Sequence, residues 1–429
     1  MRLPPALAIA AIVIATIEPA GAVDTRSPQA PPAAAMALGG VAVNGVKRLT
    51  ADDVVRLSGL KIGQPVTAQS LDGAVTVLAS TGLFKSVNYR YTTTAGKLNA
   101  TLEVEEEAWT RPVIFDNFIW FTDQELTTAV RQHLPTFDGL VPANDAAMDY
   151  VAKSLQQLLD GRSIQGRVTS ESRVNMRTRE RQHLFVVAGA TSSLKMCALR
   201  IPGAAAISEA DLITAAQSVV GNTYSRAFVD DLAAGTLRQE YRRKGYWAAG
   251  VAYQSAVLDQ GCSGVTVTMS VKEGVAYTFD RAEWAGTSAL QAPALNGALG
   301  MKAGDLAEVV KLEAGLRAVH EQYEKIGYIL QAATFTPKLD DATRRVTFEI
   351  AVTEQQQFRM GVLTFPDLPS SDGERLIKRW KLQTGAVYDG SYLRTYTLEN
   401  TAVMPKGLRS QVAVDRTTLV VNVQFVMPR

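Results

Sequence analysis

Ten glycines fall into five pairs along the chain: Gly63 with Gly82, Gly139 with Gly161, Gly221 with Gly245, Gly304 with Gly327, and Gly385 with Gly407. The members of a pair are 19, 22, 24, 23 and 22 residues apart. A spacing that recurs with such small changes points to one supersecondary unit repeated in tandem. The first glycine of each pair reads as the end of one helix. The second, at Gly82, Gly161, Gly245, Gly327 and Gly407, reads as the stop of the next, because the residue just past a helix often takes positive φ and glycine does so without a Cβ clash.

In three repeats a further glycine lies 18 residues upstream of the first, at Gly45, Gly203 and Gly286. Each falls in or just after an apolar-alternating run, at residues 41–46, 196–201 and 277–284, and such runs read as strands. Thr50 with Asp52 and Asp53, and Ser208 with Glu209 and Asp211, then suit helix N-termini. The fourth repeat has Gln291 at that offset. The fifth has Asp367 in place of the upstream glycine, and the second has a strand around 115–121 with no matching glycine. Leu312, Leu316, Val319, Tyr323 and Ile326 carry the apolar stripe of a second helix. After the closing glycine come a strand and a hairpin: residues 83–91 and 98–104 around Ala95-Gly96, 246–253 and 265–271 around Gly261, and 328–335 and 346–352 around Asp340-Asp341.

The expected fold is therefore α+β: a tandem array of five β-α-α-β-β units, each a three-stranded mixed sheet covered by two helices. The units span residues 41–107, 108–195, 196–274, 275–355 and 356–429, the second and fifth being divergent. A chain of 429 residues with 47% hydrophobic content is long enough for several small cores, and 44 basic against 42 acidic residues give a net charge of only +2. That balance implies no polyanion partner. Arg2, an apolar stretch over 6–17 and Ala20-Gly21-Ala22 read as a secretory signal over residues 1–22. The apolar stretch is too short to span a bilayer comfortably, although an uncleaved anchor is the alternative. Residues 23–40, with Pro28, Pro31 and Pro32, read as an extended Pro/Ala-rich linker.

Cys197 and Cys262 both fall in the third repeat. With its first and third strands parallel, both cysteines lie near strand starts and are candidates for a disulfide, which an exported protein can keep. Two separate small buried residues are the other reading.

Few residues suggest chemistry. His133, His183 and His320 stand in three different repeats without zinc-ligand spacing. There is no GxSxG elbow, no P-loop and no GxGxxG after a strand. The acidic pairs Asp52-Asp53, Asp230-Asp231 and Asp340-Asp341 fall at helix starts and a hairpin tip, where Asp serves local structure. The run 103–107 reads as a solvated strand end or hinge. The basic clusters Arg242-Arg243-Lys244 and 177–181 lack the interleaved aromatics of a nucleic-acid surface. No catalytic, cofactor or metal site is expected.

The first repeat resembles a POTRA (polypeptide-transport-associated) domain. The match is carried by the Val43-Asn44-Gly45 turn, residues 60–65 between the helices, the Thr81-Gly82-Leu83-Phe84 step and the Val104-Glu105-Glu106 close. The third repeat has Lys244-Gly245-Tyr246-Trp247 and Val271-Lys272-Glu273; the fourth has Ile326-Gly327-Tyr328 and Val352-Thr353-Glu354. The resemblance is to the periplasmic arm of the outer-membrane barrel-assembly family. It implies a non-enzymatic periplasmic binding arm whose partners are an outer-membrane barrel protein, unfolded client polypeptides or both, with no nucleic acid and no small-molecule substrate. Clients would add as strands at open sheet edges, here the second strands bearing Phe84, Tyr91, Tyr246, Tyr253, Tyr328 and Phe335. Junctions near Glu107, Met196, Gly274 and Gln356 would act as hinges. The chain reaches Arg429 without the barrel that such arms carry, so an array working beside a separate barrel and an envelope scaffold with a soluble partner are both consistent with it.

Overall fold

The computed structural model describes residues 35–175, 177–189 and 194–428. The expected signal sequence over 1–22 and most of the expected linker over 23–40 lie outside the described residues. The chain divides into two compact units between residues 191 and 192.

The first unit opens with β1 (Met36–Asn44), α1 (Ala51–Ser58), β2 (Pro65–Val66), α2 (Ala68–Ser80), β3 (Phe84–Thr94) and β4 (Lys97–Glu106), whose strands form one sheet in the order β2-β1-β4-β3. It continues with β5 (Trp109–Phe115), α3 (Asp123–Arg131), β6 (Leu140–Pro142), α4 (Asp145–Gly161), β7 (Arg167–Val174) and β8 (Arg181–Ala188), in the order β6-β5-β8-β7.

In the second unit β9 (Lys195–Arg200), α5 (Glu209–Ala215), α6 (Arg226–Leu232), α7 (Arg238–Arg243), β10 (Gly250–Asp259) and β11 (Gly264–Lys272) give a sheet ordered β10-β11-β9. Helices α6 and α7 are joined through one π turn, Ala233–Leu237. Then come β12 (Thr278–Ala285), α8 (Ala292–Leu299), α9 (Val309–Lys325), β13 (Ala332–Asp340) and β14 (Arg345–Thr353), ordered β12-β14-β13. Last are β15 (Arg359–Thr364), α10 (Ser370–Ile377), α11 (Tyr392–Asn400), β16 (Arg409–Asp415) and β17 (Val420–Val426), ordered β15-β17-β16.

The last strand of each group sits between the other two, parallel to the first and antiparallel to the second. Its alternating burial follows from that position, as in β14, where Val346, Phe348, Ile350 and Val352 are buried. One face packs under the helices while the other meets solvent. Helix starts follow the local chemistry. Thr50 and Asp53 form a capping box on α1, and Ser208 accepts from the backbone of Asp211 on α5. Helices α8 and α10 start at Gln291 and Pro369 without a side-chain cap bond.

Three parts of the sequence reading are corrected here. The first strand begins at Met36, inside the span assigned to the linker, because Leu38 is buried and Gly39 is absorbed by a register shift against β4. A Cβ at Gly39 would lie 2.7 Å from Asn99 Oδ1, so the Gly39-Gly40 pair serves close strand contact rather than chain breaking. The strand expected around 115–121 is β5, which ends at Phe115. Finally, Gly161 and Gly407 do not stop helices. Gly161 lies inside α4, and the left-handed position passes to Ser163 at φ 55°, whose neighbour Ile164 donates to Leu159 O at 3.0 Å. Gly407 has φ 91° but sits seven residues beyond the end of α11, in the turn that enters β16.

Candidate functional site: the outer strand edges

Each of the five described sheets has one edge covered and one edge open, and the paired glycines explain the covered one. The first glycine of a pair does not end a helix. It makes the turn that carries the inter-helix segment back onto the first strand, with φ between 86° and 98° at Gly63, Gly139, Gly221, Gly304 and Gly385. In four groups its N–H donates to that strand: Gly63 to Leu38 O (2.7 Å), Gly221 to Met196 O (2.8 Å), Gly304 to Phe279 O (2.8 Å) and Gly385 to Met360 O (2.7 Å). In the remaining group Gly139 O accepts from Val113 N at 2.9 Å. The segment pairs further as β2 on β1 and β6 on β5, or as single bridges from Lys195, Thr278 and Arg359 to Thr223, Leu306 and Val387. The outer backbone groups near the start of each first strand are therefore paired within the chain.

Among the described residues no segment pairs with the outer side of the second strand. β3, β7, β10, β13 and β16 are each the terminal strand of their sheet. Their edges differ in quality. β7 and β16 pair in unbroken register along their whole length, and β3 does so from Ser86 to Thr94. β10 shifts register between Tyr253 and Ser255. β13 contains Pro337, which lacks an N–H to offer, and a proline in an edge strand keeps its nitrogen on the solvent side.

Placing the six named aromatics corrects part of the sequence reading. Phe84, Tyr91, Tyr253 and Phe335 lie in edge strands, but Tyr246 and Tyr328 precede theirs, since β10 starts at Gly250 and β13 at Ala332. The cause is the helix C-terminus. Gly245 and Gly327 take φ 79° and 86°. Tyr246 N then donates to Tyr241 O (3.0 Å) and Tyr328 N to Tyr323 O (2.9 Å), a Schellman closure in which the two rings meet edge to face. Phe84 is buried, and Phe335 packs against Trp247 and Phe348, so neither ring is a surface contact. Tyr89 and Tyr91 stack along β3, and Arg226 lies 3.4 Å over the Tyr253 ring.

The residues after these glycines enter the next group's core. Trp247 is 2% exposed, donates Nε1–H to Ala307 O at 2.6 Å and packs on Phe348. Ile329 and Leu330 pack with the core around Phe358 and Tyr396. The glycine carbonyls bind the next group as well, Gly245 O accepting from Tyr277 N and Gly327 O from Phe358 N, both at 2.9 Å, and Gly82 O from Asn144 Nδ2 at 2.8 Å. These three glycines are needed twice, for φ and for contact. A Cβ would fall 2.6 Å from Ala147 N at Gly82, 2.7 Å from Leu306 Cδ1 at Gly245 and 2.8 Å from Phe358 O at Gly327.

A second device recurs at the strand ends, and at Glu106 it corrects the reading of residues 103–107 as a solvated strand end. Glu106 is buried, and its carboxylate accepts from the backbone N–H groups of Lys47, Arg48 and Leu49 at 2.9–3.0 Å. Glu273 does the same for Ala205 and Ala206 and accepts from the Tyr241 hydroxyl. Glu354 accepts from Ser288 N, Ser288 Oγ, Ala289 N and the Tyr323 hydroxyl. Burial works to raise the Glu354 pKa, but the donors of Ser288, Ala289 and Tyr323 outweigh it and hold the group down at about 2. The Tyr323 hydroxyl is pushed up, by burial first and then by its bond to Glu354. These carboxylates lock the turn after the first strand; the recurring strand-end glutamate was the signal for them in the sequence.

Cys197 and Cys262 are disulfide-bonded, their Cα atoms 6.2 Å apart. His133 contacts Ser154, His320 contacts Gln331, and no cluster of three or more potential metal ligands occurs among the described residues.

The elements thus define a mixed α+β protein of several small sheets with helices. No family model matches the sequence. Over 155 residues, 35% of this chain, it is 26% identical to a putative outer membrane protein assembly factor of Treponema pallidum (strain Nichols), and it spans 18% of that protein's length. Among solved structures it is similar to POTRA domains 3–5 of BamA from Haemophilus influenzae, covering 55% of this chain and 96% of that one at 18% identity and a TM-score of 0.40. It is also similar to POTRA domains 1–3 of the periplasmic domain of Omp85 from Anabaena, over 75% of this chain and 96% of that one, at 12% identity and a TM-score of 0.19.

Proposed function

We propose that the chain is an exported, non-enzymatic binding arm: five consecutive POTRA-like β-α-α-β-β domains that act in outer-membrane protein transport or assembly by adding extended segments at the open sheet edges. The domains follow the boundaries 41–107, 108–195, 196–274, 275–355 and 356–429, with the first starting early at Met36. The observation that carries the reading is the asymmetry of the five sheets, in which the start of the first strand is covered by its own inter-helix segment and the second is terminal. A row of backbone donors and acceptors on a terminal strand can pair with a peptide largely without regard to its sequence. That property suits a protein handling unfolded polypeptides. The 26% identity to an outer membrane protein assembly factor supports the setting, and the partners proposed are a barrel protein, unfolded clients or both.

Two experiments test this. Pull-down from envelope extract with the chain lacking residues 1–22 should recover outer-membrane proteins or their unfolded precursors; recovery of neither would remove the transport role. Within β13, Ala333 shares the parity of Pro337, so Ala333→Pro removes an outward N–H while leaving the β14 ladder in place. Client affinity should fall with the fold unchanged by circular dichroism. Unchanged affinity would exclude β13 as a docking strand.

A further inference from the structure

Beside the β13 edge, in the second compact unit, lies a cleft of about 480 Å³ whose wall is one face of α9, completed by Gln331, Ala333 and Arg394. The face presents Glu313, Leu316, Arg317, His320, Glu321 and Glu324, which recur at helical spacing and flank the stripe of Leu312, Gly315, Val319 and Tyr323 buried in the core.

Two of the three acids in the cleft are engaged. Glu313 accepts from Gln239 Nε2 at 3.0 Å, Glu321 pairs with Arg394 at 3.7 Å, and Glu324 stands 3.5 Å from His320 Nε2. Gln331 is different. It is 6% exposed, its Oε1 lies 2.9 Å from His320 Nδ1, and its Nε2 has no partner. A buried amide N–H without an acceptor is costly, so a polar group in that position is unusual unless something binds it. Arg317, exposed on the same wall, makes no ion pair among the described residues. Arg317 and Gln331 Nε2 are thus two donors without a partner among the described residues, one of them cationic, over a floor that includes Leu316 and Ala333.

We infer that this cleft recognises a carboxylate side chain of an extended polypeptide lying along β13. The inference rests on the strand-addition reading above and gives that edge a chemical preference. Pro337 interrupts the outer donor row of β13, which confines an added strand to the half of the edge that borders the cleft. A side chain of such a strand that turns toward the helices enters between Ala333 and α9. Arg317 and Gln331 Nε2 then supply the charge-assisted and neutral hydrogen bonds a carboxylate accepts, and an amide side chain in the same position gains only the weaker pair.

The test uses the full chain and two labelled ten-residue peptides of alternating Thr and Val that differ only in a central Glu or Gln, titrated by fluorescence anisotropy. The Glu peptide is expected to bind about five-fold more tightly, the size of a partly exposed charged pair. Arg317→Ala, on the surface, and Gln331→Leu should each reduce that preference, weakening the Glu peptide more than the Gln peptide. Equal binding of both peptides by the unaltered chain would overturn the inference and leave strand addition standing. Binding of neither would overturn strand addition at β13 and the inference with it.

Discussion

Gly327 and Gly304 look alike in sequence and do different work. Both have positive φ, 86° and 90°, but a Cβ on Gly304 meets nothing within 4 Å, whereas one on Gly327 meets Phe358 O at 2.8 Å and Val387 Cγ1 at 2.9 Å. Gly304→Ala should cost about 1–2 kcal/mol for the left-handed backbone alone. Gly327→Ala should cost more, because the following group must shift; urea midpoints of the two variants measure the difference, and equal midpoints would mean the contact carries no energy. Glu354 gives a pH prediction. Its pKa is about 2 in the folded chain against an ordinary 4.5, so its contribution is complete above about pH 4.5 and is lost as pH falls toward 2. The urea midpoints of the unaltered chain and Glu354→Gln should therefore converge over that range. The glycine positions were legible because positive φ favours glycine over residues that carry a Cβ. Their contacts were not, since closeness to Phe358 or Ala147 depends on how the next group packs, and neither was the substitution of Ser163 for glycine after α4.

At the scale of elements, the sequence pattern revealed strand, helix and hairpin order where apolar alternation was strong, as in β4 and β14. It failed where one residue serves two neighbours. Tyr246-Trp247 and Tyr328-Ile329 look like strand starts because they are aromatic and apolar, yet they close a helix and fill the next core. The covered edge of each first strand was equally hidden, since a single bridge such as Thr278 to Leu306 leaves no periodicity to read. The Cys197–Cys262 bond joins β9 to the turn before β11 across a separation of 65 residues. A loop of that size stabilises by roughly 4 kcal/mol in the chain-entropy model. Replacing both cysteines by serine should lower the urea midpoint accordingly, and two titratable thiols in unfolded, unreduced protein would show that the bond is not made.

For the whole molecule, the account rests on five sheets that each cover one edge and leave the other terminal. Fold class and the resemblance to POTRA domains could be read from glycine spacing and the strand-closing glutamates. The cleft beside β13 could not, because it depends on Gln331 being buried next to His320 and on Arg394 arriving from α11. The most direct measurement is amide hydrogen exchange, followed by mass spectrometry, on the full chain with and without an unfolded outer-membrane polypeptide. Protection should rise in one or more of β3, β7, β10, β13 and β16, while β1, β5, β9, β12 and β15 stay unchanged. Protection confined to helices or to the first strands, or no change at saturating polypeptide, would contradict the account.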